Sequence, residues 1–370
     1  MKRILFFLGS LFMGSAWAYA GGFSQPDQSA SGAGVANAYV ATANDASALA
    51  YNPAGIAWQS GISVTAGFRM NYRDSSVVLP AGSVGPNEGN ETSIGYLYAS
   101  RMPHDERLGV GVGISPLYKA NNEWSNAFPG VTGTTKMMVD HATVDLIYAI
   151  NSDLAFAAGG DWYITRVTLS RGATTFQGND MGSFGGHASL MWKPIPAWST
   201  GLMFRSGSTV SISGPANNTL SFKLPDEVTA GIAHDFADVW RLEADVKWTR
   251  WSALKNLNVT GTSPQLNPLD LRDTYTVMTG LTWTWRQDSQ VRVGYAYDQG
   301  ANRSASFHPV IADQDGHRIS LGAGGEAYGV HMDLAYTYTH YTDETATGTY
   351  AGTYRDRKQA VNFSVTKTFD

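Results

Sequence analysis

Three basic side chains, Arg69, Arg205 and Lys247, fall on the polar side of segments that alternate apolar and polar residues. A guanidinium or ammonium placed there can hold a carboxylate through charge-assisted hydrogen bonds. The same bases can also be neutralised by neighbours such as Glu243 and Asp245. Other chemistry has less support. The eight His include no H-E-x-x-H, and none lies among acidic residues at metal-ligand spacing. With no Cys in the chain, disulfides and cysteine-ligated metals are excluded. Gly109, Gly111 and Gly113 do not make a nucleotide-binding loop, because no helix follows them. No Gly-x-Ser-x-Gly occurs, so a hydrolase would need a Ser, His and acid gathered from distant parts of the chain. No cofactor is expected.

The elements that position those bases follow from composition and periodicity. Of 370 residues only 15% are charged, against about 25% in an average soluble domain. Gly is abundant at 40, with 11 Trp and 18 Tyr, yet mean hydropathy is slightly negative. A membrane β-barrel reconciles these, because its apolar outer face and polar inner face average out. The net charge of -5 argues against nucleic-acid binding.

Alternation begins at Gly61. Ile62, Val64, Ala66, Phe68, Met70 and Tyr72 share one face, while Ser63, Thr65, Gly67, Arg69 and Asn71 share the other. Leu242, Ala244, Val246 and Trp248 alternate with Glu243, Asp245 and Lys247 in the same way. About fourteen such segments follow, at 62–72, 91–101, 106–116, 137–150, 153–169, 183–193, 198–212, 227–236, 239–251, 272–285, 289–298, 316–327, 329–341 and 358–369. Each is near the ten residues a tilted membrane strand needs. Short connections, as at Ala237-Asp238 and near Tyr328, alternate with long ones such as 73–90, 117–136 and 252–271. Short turns on one side and long loops on the other are the outer-membrane arrangement. Trp near strand ends, including Trp192, Trp198, Trp283 and Trp285, fits interfacial girdles better than a secreted β-sandwich. An outward Arg or Lys at midplane would cost about 2–4 kcal/mol, which places the three bases inward.

Residues 1–20 read as a secretory signal peptide. Lys2 and Arg3 precede an apolar run from Ile4 to Met13, then small residues close with cleavage sites after Ala18 or Ala20. Residues 21–60 are small and polar, too poor in large apolar side chains for a core of their own. They must pack inside something else. The remainder, 61–370, is the barrel. Asn52-Pro53-Ala54 is a rigid punctuation, since Pro fixes φ and biases Asn52 toward an extended shape.

Several motifs give this chain a family likeness. Gly22-Phe23 and Gln28-Ser29-Ala30-Ser31-Gly32-Ala33-Gly34, then Asn44-Asp45-Ala46-Ser47 leading to Tyr51-Asn52-Pro53-Ala54-Gly55, resemble the mature N-terminus of FadL-type fatty acid transporters. Leu224-Pro225-Asp226-Glu227-Val228-Thr229-Ala230-Gly231, Leu242 to Trp251, and Val293-Gly294-Tyr295-Ala296-Tyr297-Asp298 extend the likeness over nearly the whole mature chain. The resemblance implies a monomeric fourteen-strand barrel plugged by an N-terminal hatch, 21–60, in the outer membrane of a Gram-negative bacterium, among outer-membrane lipid and lipopolysaccharide. It implies uptake of a hydrophobic ligand, with long-chain fatty acids as first reading and aromatic or aliphatic hydrocarbons as alternative. A general porin or an outer-membrane hydrolase ranks behind both. In the family a kinked third strand opens the barrel wall, which makes Gly109, Gly111 and Gly113 candidates for the lateral gate. These Gly equally suit a wall that makes room for the hatch. Asn52, Pro53 and Ala54 become the hatch motif. Leu117, Tyr118, Trp124 and Phe128 are expected to capture ligand in a long external loop, although packing within the loop would explain them as well.

Overall fold

The computed structural model describes residues 23–87, 94–128, 133–171, 174–260, 265–266, 269–303, 307, 309 and 313–369. Residues 1–20, expected to be a signal peptide, lie outside the described residues. Fourteen antiparallel strands close a barrel. In chain order they are β1 (Gly61–Val78), β2 (Ile94–Met102), β3 (Leu108–Glu123), β4 (Thr134–Ala149), β5 (Leu154–Arg171), β6 (Thr174–Ile195) and β7 (Trp198–Arg205). The others are β8 (Glu227–Phe236), β9 (Trp240–Thr249), β10 (Thr274–Arg286), β11 (Ser289–Asp298), β12 (Gly316–Ala327), β13 (Val330–Tyr341) and β14 (Gly352–Phe369). Each strand pairs with its neighbours in sequence, and β14 pairs with β1 from Phe369 opposite Ile62 to Thr353 opposite Val78. Among the described residues the barrel itself has no edge strand, as a lipid environment requires of a spanning sheet.

The alternation reads directly onto the two faces. On β1, Ile62, Phe68, Met70 and Tyr72 are exposed while Ser63, Thr65 and Arg69 are buried. On β9, Leu242 and Val246 point out while Glu243 and Asp245 point in. Trp192, Trp198, Trp283 and Trp285 ring the short-turn end, and Tyr72, Trp162, Phe184 and Tyr275 lie exposed toward the other. Such an apolar band between aromatic rings is stable only with lipid as its solvent. Two short turns take a left-handed backbone at both central residues, Ala237 and Asp238 in one, Tyr328 and Gly329 in the other. That geometry matches the twist of a tight hairpin. Lys367, on the apolar face of β14, donates its ammonium to the carbonyl of Gly329 at 2.6 Å and so reaches the polar turn.

Several strands extend beyond the spans the alternation predicts, mostly toward the long-loop end. β3 runs to Glu123 and β6 begins at Thr174. Leu117 and Tyr118 therefore belong to β3 and not to a loop. The predicted strand 198–212 is broken at Ser206–Ser208, where a Cβ on Gly207 would collide with the backbone of Leu224 and Pro225. Its second half, Thr209–Ser213, leaves the barrel and pairs with Thr219–Lys223, which pairs in turn with Leu257–Val259. This small sheet buries Val210, Ile212, Leu220, Phe222, Leu257 and Val259 against Tyr163, Val167, Leu169 and Phe176 of the barrel extension. The long loops thus carry their own apolar core.

Residues 23–60 pack against the inward faces of the strands. A short helix, Ala30–Gly34, is capped by Ser29, whose hydroxyl accepts from the Gly32 amide at 3.1 Å. Its small side chains allow close approach, with Gly34 against Gly322 of β12 and the Arg292 side chain. A second turn, Ala48–Tyr51, leads into a 3-10 helix, Pro53–Trp58, that delivers the chain to β1.

Candidate functional site

The seam between β2 and β3 is the least paired in the wall. Only Leu97 to Arg101 face Ile114 to Val110 across it, because β2 begins at Ile94 while β3 continues to Glu123. Beyond Ile114, where β3 has no pairing with β2 among the described residues, the N-terminal segment pairs with β3 instead. The Gln25 amide donates to the Leu117 carbonyl at 2.9 Å, the Lys119 amide donates to Phe23 at 2.9 Å, and Ser24 bridges Tyr118. A bulge at Pro116–Tyr118 accompanies the exchange of partners. Pro116 has no amide to give, and its carbonyl accepts from the Gln28 side chain at 2.6 Å.

Side chains of β1 and β12 hold this segment. Arg69 donates to the Gln25 side-chain oxygen and lies 3.8 Å from Asp27. Arg318 of β12 reaches Asp27 at 3.6 Å and Asp298 at 3.5 Å. Burial would raise the Asp27 pKa, yet the guanidiniums of Arg318 and Arg69 and a hydrogen bond from Asn37 hold it below the ordinary aspartate value. The Gln28 amide donates to the Tyr51 hydroxyl at 3.0 Å, and Tyr98 donates to the Gln28 carbonyl at 3.1 Å.

Further along, the amides of Tyr39 and Val40 donate to Asp245 at 2.8 and 2.9 Å, and the Ala41 amide donates to Glu243 at 2.8 Å. The acids expected to neutralise Lys247 instead clamp the N-terminal segment. Asn52 is fully buried and ties three pieces of backbone together. Its Nδ2 donates to Val40 at 2.7 Å and to Leu190 of β6 at 3.0 Å, while its Oδ1 accepts from Ala54 at 3.2 Å. Pro53 opens the 3-10 helix, where a missing amide costs nothing. The Ala54 amide also meets the Ser189 hydroxyl at 3.1 Å.

Between this segment and the wall lies a cavity of about 100 Å³, bordered by Leu117, Met203, Met278, Arg205, Lys247 and Arg318 among others. Lys247 sits 3.8 Å from Glu227, and Arg205 lies 3.3 Å from Asp161. The Arg205 Nη2 is buried without a hydrogen-bond partner among the described residues.

Gly109, Gly111 and Gly113 face inward below the incomplete seam. Added Cβ atoms there would strike Met102, the Leu49 side chain and the Tyr98 ring respectively. Gly111 thus makes room for the N-terminal segment, and the interrupted pairing begins past Ile114, beyond all three glycines. Leu117 and Tyr118 belong to the apolar cluster at the mouth, where Phe23 and Trp251 pack on Tyr118 with ring centroids 6.1 and 5.5 Å away. Trp124 and Phe128 are buried elsewhere, against Tyr354 and Val77, and the Trp124 ring N–H donates to Pro309 at 2.8 Å.

Sequence reasoning missed one lumenal network. Ser115 meets His141 Nε2 at 2.8 Å, and His141 Nδ1 meets Asp161 at 3.1 Å. Asp161 also bonds His187 Nδ1 at 2.9 Å, and His187 Nε2 meets Asp145 at 2.5 Å. With Arg205, these residues form one polar belt across five consecutive strands, β3 to β7. The signal was their inward parity on successive strands, which no local motif reveals. The Ser-His-Asp order is that of a nucleophilic triad, but Asp161 is shared with a second His and an Arg, and Ser115 does not border the cavity.

A closed, lipid-facing barrel of fourteen strands with its interior filled by its own N-terminal segment is an outer-membrane transport protein by architecture. The family model described as "Outer membrane protein transport protein (OMPP1/FadL/TodX)" matches residues 11–201 and 183–368, and the chain belongs to that family. It is therefore an outer-membrane transporter of hydrophobic compounds. Outer membrane protein P1 of Haemophilus influenzae is 25% identical over 339 residues, covering 87% of this chain and 69% of that one. A Pseudomonas aeruginosa FadL homologue superposes with a TM-score of 0.82 at 18% identity, covering 94% of this chain and 100% of the other. The Pseudomonas putida toluene transporter TodX superposes with 0.66 at 18% identity, over 91% and 98% of the two chains.

Proposed function

We propose that this barrel takes up long-chain fatty acids as a monomer within the lipopolysaccharide-containing outer membrane. The N-terminal segment acts as the plug, and the ligand leaves sideways through the β2–β3 seam. The observation that carries the acid reading is Arg205. Arg205 borders the same cavity as the apolar side chains of Leu117, Met203 and Met278, and its buried Nη2 has no hydrogen-bond partner among the described residues. A carboxylate there completes the hydrogen bonding of the guanidinium while the chain lies on apolar surface. Arg69 and Arg318 are held by Gln25 and Asp27, so a ligand carboxylate competing for them loosens the segment that covers the seam.

Lateral exit also answers a solubility problem. Returning an acyl chain to water costs about 0.8 kcal/mol per CH₂, so a path that never leaves apolar surroundings is favoured. Phe23, Tyr118 and Trp251 at the mouth supply the outer part of that path.

Aromatic hydrocarbons are the second reading, supported by the superposition on a toluene transporter. Native mass spectrometry of co-purified lipid, followed by competition between oleate and toluene, separates the two. Bound fatty acid displaced by oleate and weakened by Arg205→Gln supports the acid. Toluene binding unaffected by that substitution, with no acid bound, overturns it. Large steady conductance in a planar bilayer would instead support a general porin.

A further inference from the structure

Glu227 opens β8 at its long-loop end, with a side chain that is buried and borders the central cavity. Arg205 of β7 stands directly opposite it in register. On its other side Glu227 faces Thr249, and Lys247 lies one inward position along β9 from that residue. The Lys247 ammonium reaches to 3.8 Å from the Glu227 Oε1. The same Oε1 accepts from the Tyr118 hydroxyl at 3.2 Å. One carboxylate is therefore flanked by two bases and bonded to an aromatic side chain of the mouth.

The two bases depend on it to different degrees. Arg205 has a second carboxylate, Asp161, at 3.3 Å. Among the described residues Lys247 has Glu227 alone within ion-pair distance. All three side chains, Arg205, Lys247 and Glu227, border the cavity in which the cargo carboxylate is placed above.

Such a carboxylate has two opposed effects. Bases withdrawn from water without a counter-charge are costly, and Glu227 offsets part of that cost while the cavity holds no cargo. It also repels any second carboxylate. A fatty acid head group that reaches Arg205 or Lys247 comes close to Glu227, in surroundings less polar than water, where like charges act strongly on each other. An uncharged hydrophobe meets no such opposition. A transporter must also let its cargo go, and a resident anion that takes back the bases favours departure.

We propose that Glu227 is a specificity-determining residue of this cavity. It stands in for the cargo carboxylate, holds Lys247 and Arg205 between transport events, weakens the grip on an acid and speeds its release. The proposal rests on the fatty acid reading and names the residue that sets affinity within it. Repulsion built into a site shapes selection as much as attraction does.

The test measures equilibrium binding of radiolabelled oleate and of uncharged oleyl alcohol to the full barrel in nanodiscs, together with oleate uptake by cells carrying the same variants. Glu227→Gln keeps the shape and an acceptor for Tyr118 while removing the charge. It is expected to bind oleate on the order of tenfold more tightly, as lifting one nearby like charge should. It should bind oleyl alcohol as the wild type does and show a lower maximal rate of oleate uptake. Glu227→Asp keeps the charge and should bind oleate within about twofold of wild type. Glu227→Ser carries the same expectation as Glu227→Gln and serves if that variant does not fold. Oleate binding that is unchanged or weaker in the folded neutral variants overturns the proposal. Equal tightening for oleyl alcohol also overturns it, because Glu227 would then act through the shape of the wall. Oleyl alcohol binding without any oleate binding, in wild type and variants alike, would sink the fatty acid reading itself and the proposal with it.

Discussion

Arg318 on β12 and Asp27 in the N-terminal segment form a 3.6 Å ion pair, both side chains almost wholly removed from solvent. The pair joins β12 to the segment that pairs with β3 beyond its contacts with β2. Asp27→Asn should free the segment, at a stability cost of about 1–3 kcal/mol for the unmatched buried guanidiniums. Labelling of a Ser24→Cys reporter should be faster in that variant. The sign of the pH dependence follows from the lowered Asp27 pKa. The contribution is complete above the unfolded aspartate value near 4 and is lost only as pH falls below it, through the lower folded value. Reporter labelling, expressed at each pH relative to the unfolded protein to cancel the titration of the thiol itself, should therefore be flat from pH 8 to 5 and rise only under stronger acid. A rise already at pH 6 would place the control elsewhere.

Asn52→Ala removes three hydrogen bonds from a fully buried side chain and leaves the carbonyls of Val40 and Leu190 without that donor. The expected loss is about 1–3 kcal/mol, felt by the plug more than by the barrel. Thermal unfolding should then show an early step. A single transition at the wild-type temperature would mean that Asn52 does not hold the plug in place.

Gly111→Leu forces new atoms onto the Leu49 side chain. Overpacking of this kind costs about 1–3 kcal/mol. If Gly111 serves the seat of the plug, the variant should fold with the plug loosened and the additional substitution Leu49→Ala should restore it. If Gly111 serves the gate, uptake should fall and Leu49→Ala should not rescue it. Normal uptake in a folded Gly111→Leu barrel with unchanged plug protection would count against both roles.

Ser115→Ala tests the polar belt of β3 to β7. As a structural brace it should lower stability by about 1 kcal/mol and leave fatty acid uptake intact. Ester hydrolysis by the purified wild-type protein, lost in Ser115→Ala, would instead make the Ser115–His141–Asp161 arrangement a working triad.

The strands were legible because each carries its own period-2 signal in ten consecutive residues, and the parity of Arg69, Arg205 and Lys247 came with it. What escaped depends on contacts between distant strands. Tyr39 and Val40 reach Asp245 across some two hundred positions, so nothing local marks Glu243 and Asp245 as clamps. The polar belt escaped for the same reason, since its members come one or two per strand. The loop sheet was different. Val210 and Ile212, Leu220 and Phe222, and Leu257 and Val259 alternate plainly, but three-residue and five-residue runs are too short to stand out from loop sequence. Trp124 and Phe128 show the limit of composition. Aromatics in a long external loop suit ligand capture, yet here they close against Tyr354.

The central claim is that the N-terminal segment must leave β3 for ligand to pass, and a reversible cross-link addresses it directly. Ser24 and Tyr118 are bridge partners, and the chain has no native Cys to interfere. Directly opposed residues of an antiparallel pair lie within disulfide range. Uptake of labelled oleate should be measured in cells carrying Ser24→Cys/Tyr118→Cys, oxidised and then reduced, beside each single variant. The account predicts loss of uptake on oxidation and recovery on reduction in the double variant alone. Undiminished uptake through the fully cross-linked barrel would contradict it.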